Sequence, residues 1–327
     1  MSTDFFLARQ QYDLLPDNLK SPYHNPDYVA LDAQSKVATQ PIFFIFKRDS
    51  EIYYHPLHKV YTKELNVVDF ESARGYGGPI STTSDKEFLQ EAFLQYQQFS
   101  SDHNAVVEFI RFSPILSNQD YYGGSSWFDR ATCAIDLSSY ALKNNSHGAI
   151  SNINKAMKNN CKVIITPSPS SLQIEKFNNI YHLRMIELKA DNQYIFNEEY
   201  IRGLFDGKNE LAIAELNGEI VAASIFLRSA QWIEYHLSAA NDIGRKFGVV
   251  NLILHAYAMQ NQKASSILHL GGGTDQLPDN KLLLFKQAMG KLSKAFHIGK
   301  SVHQPDHYSQ LRQEFVGKDN RVIFYRS

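Results

Sequence analysis

The chain has 327 residues, 43% of them apolar and 13% aromatic, enough for real cores and a length that fits two domains of ordinary size. Its formal net charge is −1, with 20% charged residues well mixed along the chain. That excludes a global field able to hold a polyanion, and no run of five like charges supplies a local one, so DNA binding is not expected. The longest strongly apolar runs, 41–46 and 282–285, are far too short to span a bilayer. Residues 1–15 lack a basic segment followed by a long apolar stretch, so a cytoplasmic protein is the expectation. Cys133 and Cys161 lie far apart, fit no metal spacing and read as reduced thiols.

In chain order, residues 1–35 carry Pro16, Pro22 and Pro26, and Ser21-Pro22-Tyr23-His24-Asn25-Pro26 reads as turns rather than a long helix. Residues 42–46 and 51–57 predict a hairpin through the polar turn 47–50, and 64–70 predicts a further extended segment. This leads to Ser72-Ala73-Arg74-Gly75-Tyr76-Gly77-Gly78-Pro79. Glycine permits positive φ and close approach of backbone to a ligand, which makes Tyr76 and Gly77 candidate substrate contacts; an ordinary tight loop is the plain alternative. Ser84-Asp85-Lys86-Glu87 reads as a capping box with Ser84 as the cap, before apolar residues at helical spacing from Phe88 to Phe99. Residues 105–112 predict a strand, 117–126 a polar turn and 132–137 another strand. Asp136-Leu137-Ser138-Ser139 is expected to open a helix that continues through 150–159. A domain boundary is placed near 150, giving domains 1–150 and 151–327.

The second half reads as a strand at 161–166 and helices at 171–190 and 197–205. Strands at 211–216 and 219–228 are joined by Asn217-Gly218, a strong hairpin signal. The alternation of 232–238 predicts a strand. Residues 249–261 predict a helix, 267–270 a short strand, 271–273 a glycine break, and 282–286 the end of a helix. A tail follows, with 321–325 expected as a final strand.

Arg245-Lys246-Phe247-Gly248-Val249-Val250 is expected as a polar loop that follows a strand and opens a helix. A helix N-terminus offers unpaired N–H groups and a dipole that favours anions, and two cations beside a glycine suit a pyrophosphate. Arg245, Lys246, Gly248 and Val249 are therefore the candidate donor-binding residues, with an exposed basic loop as the alternative. Gly271-Gly272-Gly273 suggests a backbone that splays or lies against a ligand. Lys286 either snorkels to solvent or presents an ammonium that stabilises an oxyanion. His236, Glu234 and His269 stand on the two strands that frame the turn, where a general base could sit. The pairs His55/His58 and His303/His307 each have a proline between them and no obvious third ligand, so no metal site is expected.

Together these pieces resemble the FemAB (FemABX-like) proteins with a GNAT-type, BioF2-like acyltransferase domain. The resemblance is carried by Tyr235-His236-Leu237-Ser238, Arg245-Lys246-Phe247-Gly248-Val249-Val250, Leu268-His269-Leu270-Gly271-Gly272-Gly273, Asp279-Asn280-Lys281-Leu282-Leu283-Leu284-Phe285-Lys286 and Phe324-Tyr325-Arg326. In the first half, Tyr76-Gly77-Gly78-Pro79 and Arg111-Phe112-Ser113-Pro114-Ile115-Leu116 also fit. Val250 stands where the turn pattern has a small residue, and Ser151-Asn152 where the family often has an arginine. The resemblance implies an α/β (α+β) fold of two tandem GNAT-like domains, with mixed sheets flanked by helices and the acceptor in the cleft between them. It also implies strands 232–238 and 266–270 that splay around an acyl-CoA arm, and a Phe285-Lys286 pair whose lysine meets the developing charge. Tyr76, Gly77, Tyr235 and Asp275 are the candidate substrate contacts.

The expected activity is N-acyl transfer from an acyl-CoA-type thioester to an amino group of a nucleotide-linked amino sugar or another cell-envelope or polysaccharide precursor. Acyl-CoA is then a co-substrate, with no permanently bound cofactor. Two alternatives stand beside it: an aminoacyl-tRNA-dependent ligase acting on a peptidoglycan precursor, and a non-catalytic GNAT-like binding module. A net charge of −1 gives little electrostatic reason to hold tRNA.

Overall fold

A computed structural model describes residues 3–205, 207–315 and 321–326. The chain forms two compact units, the first from residues 1–130 and 295–327, the second from 131–294.

The first unit begins with α1 (Thr3–Leu14) and α2 (Pro26–Gln34). Residues 21–26 turn as expected, through a short 3-10 segment, and a helix that was not anticipated lies on either side. The prolines mark a helix start: Pro26 occupies the first turn of α2, where no N–H is needed, and Asn25 accepts from the Asp27 N–H at 2.9 Å. Strands β1 (Thr39–Arg48) and β2 (Glu51–Thr62) form the expected hairpin, tightened at Asp49 with φ 54°. β3 (Val67–Glu71) pairs antiparallel with β2, and the two-residue β4 (Ile80–Ser81) also pairs with β2. α3 (Lys86–Asp102) then crosses to β5 (Ala105–Arg111), parallel to β3. The cap of α3 is Asp85 rather than Ser84; its carboxylate accepts from Phe88 N–H at 2.8 Å and is ion-paired with Arg48 at 2.9 Å. Phe44, Leu57, Phe70, Phe88, Ile110 and Phe112 form the core beneath.

β6 (Ser125–Asp136) enters the second unit at Ala131. No helix opens at Asp136. That carboxylate instead accepts from Ser138 N–H and from the Ser138 and Ser139 hydroxyls, and α4 (His147–Lys158) starts later, capped by Ser146. The unit continues with β7 (Lys162–Thr166), α5 (Ser171–Glu187), α6 (Glu198–Gly203), β8 (Glu210–Leu216) and β9 (Glu219–Arg228). Next come β10 (Trp232–Ala240), α7 (Asp242–Lys246), α8 (Val249–Asn261), β11 (Ile267–Gly272) and α9 (Lys281–Gln287). Its strand order is β6-β11-β10-β9-β8-β7. β10 and β11 run parallel, joined by the α8 crossover, and the other neighbouring pairs are antiparallel. Ile153 of α4, Ile253 and Tyr257 of α8, Phe226, Ile233 and Leu268 share the main core.

β12 (Leu292–Val302) returns the chain to the first unit, where Ile298 to Val302 pair antiparallel with Arg111 to Val107. α10 (Pro305–Glu314) follows. The expected last strand is absent; Ile323, Phe324 and Tyr325 lie in turns and are buried against Val67, Val106 and Val107. Residue 150 falls inside α4, and the chain divides at 130/131 and 294/295 because β12 returns to β5. Among the described residues, no helix is long and apolar enough to cross a membrane. Both cysteines are buried and free.

Candidate active site

The second unit opens its sheet between β10 and β11. The two strands pair only at Trp232↔Ile267, Ile233↔Leu268 and Glu234↔His269. Beyond that, β10 follows β9 to Ala240 and β11 follows β6 to Gly272. Each strand carries an irregularity just past the last shared pair, between Tyr235 and Leu237 on β10 and between His269 and Gly271 on β11. An extra residue bends a strand and raises its twist, so irregularities at this level turn the two arms apart. Gly271 has φ 77°, a conformation that disfavours any side chain.

At the apex Glu234 is 1% exposed. One oxygen accepts from the Trp232 indole at 3.0 Å and the other from His269 Nδ1–H at 2.7 Å. His269 Nε2 meets the Thr132 hydroxyl at 2.9 Å. Glu234 therefore cannot reach a substrate amine as its base; it orients His269 and ties β10 to β11. His269, weighed as a base, is fully buried in the same chain. His236, in the β10 irregularity, is half-buried, and its Nε2 lies 3.2 Å from Tyr200 Oη. Burial pushes the Tyr235 phenol up to about 12, with the Ser238 and Ser224 hydroxyls opposing, so it is a hydrogen-bond donor at neutral pH.

The turn after β10 is not a loop. It contains α7, capped by Asn241, whose side chain accepts from Gly244 N–H at 2.9 Å. Arg245, in the last turn of this helix, is occupied, donating to Ala240 O at 3.1 Å and pairing with Asp242 and with Glu187 of α5, the latter at 3.1 Å. The free cation expected there is thus largely offset by two carboxylates. Lys246 Nζ lies 5.8 Å from the Phe247 ring centroid, and Lys155 of α4 donates to the Lys246 carbonyl at 2.7 Å. Gly248 has φ 65°, and a Cβ there would stand 2.5 Å from Asn152 Cβ. The glycine therefore lets α4 and α8 close on each other. No side chain caps α8 at Gly248, which leaves the helix start at Val249 as the anion-attracting feature of the turn.

α9 carries Lys286. Asn280 caps the helix, accepting from Leu282 and Leu283 N–H at 3.0 and 3.1 Å. Asp275, the expected substrate contact, accepts from Asn280 Nδ2 and from Leu277 N–H, both at 2.9 Å, and so builds the capping loop. Lys286 is half-buried and donates to the carbonyl of Gly272, the last residue of β11, at 2.8 Å. Burial lowers its ammonium to about 8, with the Cys133 thiol opposing. Burial also pushes that thiol up to about 11, so Cys133 is no nucleophile at neutral pH.

Tyr76 and Gly77 belong to the first unit. Gly77 N–H donates to Arg111 O at 2.6 Å, and Asn118 Nδ2 donates to Gly77 O and Pro79 O at 2.8 and 2.9 Å. The half-buried Tyr76 ring packs edge-on against Tyr23 and Phe296. The glycine stretch is a pinned loop that presents one tyrosine.

Sequence reasoning brought Lys286, Gly248 and the splayed strands into one unit but missed Thr132, Tyr200 and Asn280 as supports. Only Asn280 left a local signal, an Asn directly before a helix.

No family model and no curated protein matches the chain. Solved structures do. It is similar to FemX, with a TM-score of 0.72 at 12% identity over 96% of this chain and 99% of that one. It is also similar to L-PGS from Bacillus licheniformis, with a TM-score of 0.54 at 12% identity over 79% of this chain and 83% of that one. A tandem GNAT protein from the clavulanic acid biosynthesis pathway, in a structure without AcCoA, gives a TM-score of 0.53 at 7% identity over 92% and 96%. At these identities the likeness is one of fold alone, the fold shared with FemX and with the tandem GNAT protein.

Proposed function

We propose that this protein is an N-acyltransferase that moves an acyl group from an acyl-CoA-type thioester to an amino group of a cell-envelope or polysaccharide precursor such as a nucleotide-linked amino sugar. The observation that carries this reading is the β10–β11 pair, bonded for three residues and then parted by an irregularity on each strand, beside an α8 start without a side-chain cap. In this reading the thioester arm lies in the opening and adds backbone hydrogen bonds to its walls. Val249 and the N–H groups after Gly248 face the donor phosphates.

The neutral amine attacks the thioester carbonyl, forming the C–N bond. The tetrahedral intermediate collapses with loss of the C–S bond, and the thiolate leaves and takes a proton. The amine's own proton passes to His236 or to water. Lys286, held at the end of β11, supplies the ammonium that meets the oxyanion, as preorganised charge does in acyl transfer. Tyr76 is assigned to the acceptor and Tyr235 to the arm of the opening.

A second reading, transfer of an aminoacyl group from tRNA, is favoured by the coverage of FemX, 96% and 99% of the two chains, and by the pairing of Arg245 with Glu187 and Asp242, which weakens the turn as a pyrophosphate site. Calorimetric titration with CoA and acetyl-CoA, beside filter binding of charged tRNA, separates the two. Heat with the thioesters and no retained tRNA supports the first; retained tRNA with steep salt dependence and no heat supports the second. Binding of neither sinks both.

A further inference from the structure

The interior of the first unit holds a polar cluster that the proposed reaction does not use. Glu108 of β5 is fully buried. One carboxylate oxygen accepts from Tyr96 Oη of α3 and lies 3.2 Å from His303 Nε2. The other, Oε1, has no hydrogen-bond partner, and His55 Nε2 of β2 stands 3.8 Å from it, too far for a direct bond. His55 is itself fully buried, and neither of its ring nitrogens has a partner. The Tyr122 ring stands perpendicular to the His55 ring, 6.4 Å between centroids, and its buried Oη faces the Glu108 carboxylate without a well-formed hydrogen bond. A buried polar atom left without a partner is destabilising. Unmet groups crowded together on three different segments are therefore not left to vacuum.

The chemistry of the set selects the occupant. Burial pushes the His55 imidazole down to about 4, so at neutral pH the ring has one N–H and one lone pair. Burial opposes ionisation of Glu108, but the hydrogen bonds from His303 and Tyr96 favour it, and the carboxyl lies below its ordinary value. The unmet needs are thus a donor for Oε1, a donor for the imidazole lone pair, an acceptor for the imidazole N–H, and either for the phenol. A bare cation cannot use the N–H, and an anion is repelled by Glu108. Among the described residues, no group of three ligands suits a metal ion. One water, with two donors and two acceptors, can meet His55 Nε2, Glu108 Oε1 and Tyr122 Oη together, though not the far ring nitrogen Nδ1.

We propose that the first unit contains a sealed hydration site, in which an ordered water molecule bonded to His55, Glu108 Oε1 and Tyr122 Oη is a fixed part of the core. The water completes a path of hydrogen bonds from His55 through Glu108 to His303, whose side chain is 7% exposed. It gives an ionised carboxylate a third donor where, among the described residues, no lysine or arginine pairs with it.

A crystal structure of the full chain at a resolution that shows ordered water tests this directly. The expected result is a density peak within hydrogen-bond distance of all three groups, lost in His55→Phe, which keeps a ring and removes both nitrogens. In solution, long-lived water should give cross-relaxation to the Tyr122 ring protons of the unaltered chain, so the test stands even if His55→Phe does not fold. An empty chamber, a His55 ring turned to bond Glu108 directly, or a peak with the anomalous signal of a metal would each overturn the proposal.

Discussion

Lys286 is the residue whose surroundings most constrain the chemistry. Its ammonium is anchored on the Gly272 carbonyl, and burial weakens its hold on the proton to about 8. If it meets an oxyanion, Lys286→Met should lower kcat by about 10²-fold with KM nearly unchanged; steady-state turnover at wild-type level would remove Lys286 from the scheme. The sign with pH follows from the depressed value. The charged form is complete below about 8 and is lost as pH rises through it, so kcat should fall on the alkaline side. Lys286→Arg, charged throughout, should flatten that limb even where it lowers the maximum. Glu234 lies at the opposite extreme, with both oxygens taken inside the sheet. Glu234→Gln should cost roughly 1–3 kcal/mol in chemical denaturation while leaving the pH limbs of kcat in place. A shifted acid limb would instead make it a proton acceptor. Lys286 was legible from its place at the end of an apolar helix. The inaccessibility of Glu234 was not, because its partners Trp232 and His269 acquire that meaning only once two strands pair.

At the scale of elements, the α7–α8 turn shows how much a short motif owes to what packs on it. Gly248 is read from sequence as a ligand-facing glycine, and the structure adds a second reason, since α4 comes within 2.5 Å of where its Cβ would be. Gly248→Ala should destabilise the protein by about 1–3 kcal/mol through left-handed backbone strain and this contact together. Its thermal midpoint should fall before any effect on thioester binding is counted, and an unchanged midpoint would mean that α4 gives way. The start of α3 offers a cleaner test of register. Asp85→Ala should lower the urea midpoint and Ser84→Ala leave it almost unchanged, because Asp85 makes the cap bond. The reverse ranking in urea denaturation would restore Ser84. A helix start is legible here from the sequence; which of two adjacent capping residues makes the bond is not, and in the structure Asp85 does so while also pairing with Arg48 at the end of β1.

For the whole molecule, the decisive feature is that the chain returns. β12 leaves the second unit and pairs with β5, and the buried tail residues Phe324 and Tyr325 close the core over Val67, Val106 and Val107. A chain ended at Lys294 should therefore lose cooperative unfolding of the first unit and bind hydrophobic dye. Retention of the full unfolding transition would show that β12 and the tail are dispensable. Sequence by itself determined the order and type of most elements, the Asn217-Gly218 hairpin, the glycine-rich positions and the FemAB-like resemblance. All of these are written in side-chain period, in turn residues and in motif spacing, which act over a few neighbours. Only the tertiary structure decided which unit each segment joins, that Arg245 is already paired with Glu187 and Asp242, that Asp275 serves the cap of α9, and that 321–325 packs as turns rather than a strand. Those outcomes depend on contacts between residues far apart in the chain, and a local pattern records a charge or an apolar run without recording what will neutralise or cover it.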